Sequence, residues 1–124
     1  MGTKCRSHNT SNPHLAFGDI IENIDRISGY TAGLTQEKFA ADQMIIDATE
    51  RCLSRIGEAA VKLGPDAETL APGIPWPDIR GLGNHLRHRY RGVRNSDIWA
   101  IISENLPPLR HECVSAQERL REKK

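Results

Sequence analysis

The sequence predicts an all-α fold, an up-down antiparallel bundle of four to five helices. Apolar residues recur at three- and four-residue steps in several separate stretches, while few stretches alternate apolar and polar residues as strands do. Glycine and proline clusters fall between those stretches and punctuate them. At 124 residues the chain makes one domain, and with 38% hydrophobic but only 5% aromatic residues its core must be mostly aliphatic.

Residues 1–13 read as a flexible tail, because no apolar periodicity repays the entropy of ordering them. Asn12 followed by Pro13 has the form of an N-cap with proline at the first helical position. Phe17, Ile20, Ile24 and Ile27 then give one buried stripe, ending near Gly29 to Gly33. Thr35 is placed to cap a second helix, the longest, with Phe39, Ile45, Cys52, Ile56, Ala60 and Leu63 on one side and a stop at Gly64-Pro65. Its other side holds Asp47, Arg51, Arg55, Glu58 and Lys62, and the spacing allows Asp47 to pair with Arg51 and Glu58 with Lys62 across one turn. Gly57, costly inside a helix, suggests close approach of a neighbouring element.

Pro65, Pro72 and Pro75 make the next stretch a connector with at most a short turn around Ala67 to Leu70. Another helix begins at Trp76-Pro77-Asp78, where the Asp78 carboxylate suits the positive end of the dipole, and Ile79, Leu82 and Leu86 mark its buried side. Asn95 or Ser96 then caps a last helix with Ile98, Ile101 and Ile102 inside, supported by Trp99. Pro107-Pro108 must break or kink it before Leu109 resumes. The domain spans 14–118, and the charged end, 119–124, is expected to fray.

Net charge is only +1, which excludes a globally basic nucleic-acid binder. The charge is unevenly placed, however. Between Asp78 and Asp97 there is no acid, while Arg80, Arg87, Arg89, Arg91 and Arg94 share that gap with His85 and His88. The three cysteines, Cys5, Cys52 and Cys113, are widely spaced without a CxxC pair, and no signal peptide is evident. A cytoplasmic location fits, with Cys52 as a buried inert thiol. No apolar run approaches the ~20 residues that a membrane-spanning helix needs.

The segment from Pro75 to Tyr90 concentrates the chemistry. At about 100° per residue, Ile79, Leu82 and Leu86 share one sector of a helix, and Arg80, Asn84, Arg87, His88 and Arg91 fall on another side. Guanidinium groups beside an imidazole bind phosphate through charge and forked hydrogen bonds, with a proton carrier at hand. RNA is the polymer to consider, because its own 2′-hydroxyl can attack the adjacent phosphorus. The protein then need only move protons and stabilise negative charge. His85 and His88, three residues apart, do not make a metal site: two imidazoles are too few and the surrounding arginines repel a dication.

Taken together and in order, several short runs resemble a known family. They are Asp19-Ile20-Ile21-Glu22-Asn23-Ile24, Tyr30-Thr31-Ala32-Gly33-Leu34, Asp47-Ala48-Thr49-Glu50-Arg51, Ile56-Gly57-Glu58-Ala59-Ala60, Ile74-Pro75-Trp76, Gly81-Leu82, Asn84, His88-x-Tyr90, and Trp99 with Leu106-Pro107. The chain resembles the HepT-like branch of the HEPN superfamily, the toxin half of MNT/HepT toxin–antitoxin pairs. The resemblance implies a dimeric helical bundle that cleaves RNA without metal or other cofactor. It further implies that Asn84 orients or binds phosphate and that His88 is the general acid/base. Tyr90 would be the site at which a partner nucleotidyltransferase antitoxin attaches AMP. The family's motif arginine is replaced here by Gly83, which leaves Arg87 to supply positive charge, with Arg80, Arg89 and Arg91 as further RNA or phosphate contacts. The same replacement supports an alternative, a weakened or inactive subunit that binds the nucleotidyltransferase.

Overall fold

Asn12 starts the first helix as its sequence requires. In the computed structural model, which describes residues 12–82 and 95–122, its side-chain carbonyl accepts the backbone N–H of Leu15 at 3.2 Å, with Pro13 in the first turn. Helix α1 runs Pro13–Thr31 and buries Phe17, Ile20, Ile24 and Ile27. It ends at Ala32 and Gly33, the latter at φ 77°, a conformation that favours glycine.

The expected single second helix is two helices. Thr35 caps α2, Gln36–Ala40, through its hydroxyl at 3.2 Å from the Lys38 N–H; Asp42 then caps a separate α3, Gln43–Leu63, accepting the Ile45 N–H at 3.1 Å. Within α3 the buried stripe lies one residue off the expected one at its start. Ile46 is fully buried where Ile45 was expected, and Ile45 only packs against the core's edge. Cys52, Ile56, Ala60 and Leu63 face inward as predicted, joined by Leu53, Thr49 and Gly57. Gly64, at φ 56°, ends α3.

Short helices α4, Asp66–Leu70, and α5, Trp76–Arg80, occupy the proline-rich connector and the stretch after it. Trp76 is completely buried, its indole N–H donating to the Ala71 carbonyl at 2.7 Å and its ring meeting Phe17 edge-on at a centroid distance of 6.3 Å. Ile79 and Leu82 are buried as predicted; Leu86 lies outside the described residues.

Helix α6, Asn95–Ala100, buries Ile98, and Trp99 packs half-buried on Phe39 at 5.3 Å. Pro107 and Pro108 do not break the chain's helical path. A π-turn, Ile101–Asn105, leads directly into α7, Leu106–Glu122, which contains both prolines. The Leu106 N–H reaches back five residues to the Ile101 carbonyl, so the wider turn accommodates the site where Pro107 and Pro108 offer no donors. Residues 119–122, expected to fray, continue α7. Arg119 donates to the Leu70 carbonyl, and Leu120 packs against the core.

Helix α7 lies antiparallel to α1. Gln117 donates to the His14 carbonyl at 3.0 Å near one end, and Arg110 forms a forked pair with Asp25 toward the other. Their approach is close at Gly18, where a Cβ would sit 3.2 Å from the Gln117 amide nitrogen. The result is an all-α bundle with no strand among the described residues. Its core is chiefly aliphatic, with Phe17, Phe39 and Trp76 as its large aromatic members.

Candidate functional site

The described structure reaches the chemical segment from both sides. On the near side, α5 delivers Gly81, whose N–H closes onto the Pro77 and Asp78 carbonyls, and then the buried Leu82; on the far side, α6 starts at Asn95. Gly83, Asn84, Arg87, His88, Arg89, Tyr90 and Arg91 lie between, outside the described residues, as do His85 and Arg94. Their composition is fixed by the sequence: residues 83–94 hold four arginines and two histidines and no acid.

Arg80, expected to contact RNA, is the described member of the cationic set. Its guanidinium makes three hydrogen bonds. Nη1 donates to Glu68 Oε2 at 3.0 Å, and Nη2 donates both to Glu68 Oε1 at 2.6 Å and to the Gly64 carbonyl at 2.8 Å. The forked pair holds the Glu68 carboxyl below the usual carboxylate range, and the same hydrogen bond raises the Arg80 guanidinium further above neutrality. Glu68 is the residue that sequence reasoning missed here. It stands twelve positions away across three prolines, so no periodicity links it to Arg80.

The solvated face of α3 differs from expectation in its pairings. Asp47 accepts from Gln43 Nε2 at 2.8 Å rather than from Arg51, and among the described residues no salt bridge joins Glu58 to Lys62. Instead Arg55, Glu58, Ala59 and Lys62 face Asp19, Glu22, Asn23 and Arg26 of α1 across a cleft of about 260 Å³. Arg26 is bound to Glu22 at 2.8 Å, which raises its guanidinium above the ordinary value, with a smaller contribution from Tyr30. Three acids and three bases line this cleft, so it carries no net charge to attract a polyanion.

Cys52 and Cys113 are buried free thiols. Burial, reinforced by neighbouring Glu112, pushes the Cys113 thiol up to about 12, which keeps it protonated and unreactive at neutral pH. Among the described residues no group of three or more His, Cys, Asp or Glu is placed to hold a metal ion, and no helix is long and apolar enough to cross a membrane.

Comparison with known proteins adds a match along most of the chain. The family described as "Ribonuclease HepT-like" matches residues 20–116, a span that includes most of α1 and the whole cationic segment. A protein of Methanocaldococcus jannaschii named "Putative RNase MJ1380" is 32% identical over 94 residues, covering 76% of this chain and 86% of that protein. A second from the same organism, "Putative RNase MJ1216", is 33% identical over 94 residues, covering 76% and 78%. The "Probable ribonuclease HepT" of Thermococcus cleftensis is 34% identical over 92 residues, covering 74% and 84%. No solved structure matches the chain.

Proposed function

The chain belongs to the HepT-like ribonuclease family, and from that premise we propose that it is a metal-independent endoribonuclease, the toxin of a toxin–antitoxin pair. The observation that carries this reading is the position of the family match. It runs through Asn84, His88 and Tyr90, set among arginines with no acid nearby in the sequence.

The chemistry follows from what those groups offer. His88 takes the proton of an RNA 2′-hydroxyl as that oxygen attacks the adjacent phosphorus, and returns a proton to the departing 5′-oxygen. Asn84 orients the phosphate by hydrogen bonding. Arg87, Arg89 and Arg91 lower the cost of the added negative charge and hold the backbone on either side. Tyr90 is the position at which a nucleotidyltransferase antitoxin attaches AMP. The added phosphate places negative charge among the arginines that RNA would otherwise occupy, which is sufficient to silence the site. The working unit is a homodimer in the cytoplasm.

Gly83 supports a second reading. It supplies no side chain where the family motif has arginine, and loss of such a contact commonly costs on the order of 10²–10³ in rate. On this reading the protein is a weakened or silent nuclease whose remaining role is to bind the nucleotidyltransferase.

One experiment separates the two. Purified protein is incubated with tRNA or mRNA, with and without chelator, beside His88→Ala and Gly83→Arg. The nuclease reading expects cleavage by the wild type that survives chelation and disappears in His88→Ala; cleavage unchanged in His88→Ala sinks the assigned roles. A silent wild type with an active Gly83→Arg variant supports the binding subunit.

A further inference from the structure

Helix α5 is only five residues long, too short to persist by its own hydrogen bonds. It is fastened at both ends. Trp76 plugs its start into the core, and Arg80, its last residue, is clamped by Glu68 of α4 and by the carbonyl of Gly64, the residue that ends α3. That carbonyl already accepts the Ala67 N–H at 3.1 Å, so Arg80 uses its second acceptor direction. Three elements separated by prolines therefore meet at one guanidinium, three residues before the chain enters the motif at Gly83.

Three of the five N–H donors of this guanidinium are already committed, and its charge is already matched by a carboxylate. Its forked edge is matched to a carboxylate at 2.6 and 3.0 Å, and taking up RNA there would leave Glu68 facing the incoming polyanion. We propose that Arg80, with Glu68 as its partner, is a positioning residue that fixes the start of the segment carrying Asn84, His88 and Tyr90, rather than a contact to RNA. The proposal rests on the nuclease reading for what the segment does, and on the clamp itself for how it is held. Its effect is on rate: a misplacement of about 1 Å at a reacting group can cost on the order of 10² in turnover, whereas substrate affinity is set by the arginines further along.

The test is steady-state RNA cleavage by Arg80→Ala, Glu68→Ala and the double variant, at a temperature where thermal melts show each fully folded. Arg80→Lys and Glu68→Gln serve as milder versions if an alanine variant does not fold. Positioning predicts that each single variant lowers kcat about tenfold, with KM within about twofold and an unchanged salt dependence. The double variant is then no worse than the poorer single, since the two side chains act as one unit. A direct RNA contact predicts the reverse. Arg80→Ala raises KM and flattens the salt slope by about 0.7, the value of one phosphate contact on a single strand, while Glu68→Ala lowers KM by freeing the arginine. Either that pattern or an unchanged kcat in all variants overturns the proposal. If the wild type cleaves no RNA, the nuclease reading fails separately, and amide exchange decides the clamp. Peptides from 81–90 must exchange faster in both single variants while those from 43–63 do not change; equal exchange in wild type and variants overturns it.

Discussion

Replacing Trp76 with phenylalanine isolates what one buried hydrogen bond contributes to the base of the motif segment. The phenyl ring keeps most of the apolar volume packed near Phe17 but deletes the indole N–H that the Ala71 carbonyl accepts at 2.7 Å. Ala71 is itself fully buried, so its carbonyl is left without that donor inside the protein, a loss of about 1–3 kcal/mol. The smaller ring adds a void worth about 1 kcal/mol. Trp76→Phe should therefore destabilise the domain by about 2–4 kcal/mol, against a total of about 5–15 kcal/mol for a typical domain. The melting temperature should fall by roughly 4 °C for each kcal/mol at this size. Urea unfolding followed by far-UV circular dichroism measures it without relying on tryptophan emission. A loss below about 0.5 kcal/mol with an unchanged m-value would refute the reasoning, because the indole N–H would then be dispensable.

Asp42→Ala removes the cap that starts α3 and should cost about 1 kcal/mol by urea unfolding, with Asp42→Asn close to the wild type. The Cys113 thiol should resist a disulfide reagent at pH 8 in the folded protein and react on unfolding. Above the ordinary thiol value the unfolded chain loses a proton that the folded chain retains up to about 12, so this thiol makes stability fall by about 1.4 kcal/mol per pH unit across that window; a Cys113→Ala variant should lack this component. Glu68 acts at the other end of the scale. Its carboxyl is held low by Arg80 in the folded state, so the pair contributes above the ordinary glutamate value and its contribution is lost as pH falls through the lowered one. The stability difference between wild type and Arg80→Ala, measured by urea unfolding, should accordingly shrink in acid to what the hydrogen bond to the Gly64 carbonyl retains.

The sequence exposed those features that depend on near neighbours. The Asn12-Pro13 start, the stripe of α1, the Thr35 cap, the stop at Gly64 and the start of α5 at Trp76 are all local chemistry, and all are found where expected. The break at Asp42 was hidden because the apolar spacing continues plausibly across it, while the residues around it tolerate a helix. The clamp on Arg80 was hidden for a different reason: its partners come from two other elements and are chosen by tertiary placement. Asn84, His88 and Tyr90 among arginines are a pattern of side-chain chemistry read from the sequence alone, and their roles rest on the proposed function.

The π-turn at Ile101–Asn105 sets the phase of everything after it. One additional residue in a helical turn rotates the following side chains by about 100° relative to an uninterrupted α-helix. Before the turn, α6 packs toward α2, with Trp99 on Phe39; after it, α7 packs along α1, with Leu106, Leu109, Cys113 and Ala116 buried. One continuous helical rod thus addresses two neighbours in different directions. Adding a single residue between 101 and 105 would lengthen the rod by only about 1.5 Å, yet it would swing the α7 stripe more than a quarter-turn away from α1. Removing one would let the turn close as ordinary α-helix with the stripe still toward α1. The stretch is therefore far less tolerant of an added residue than of a removed one.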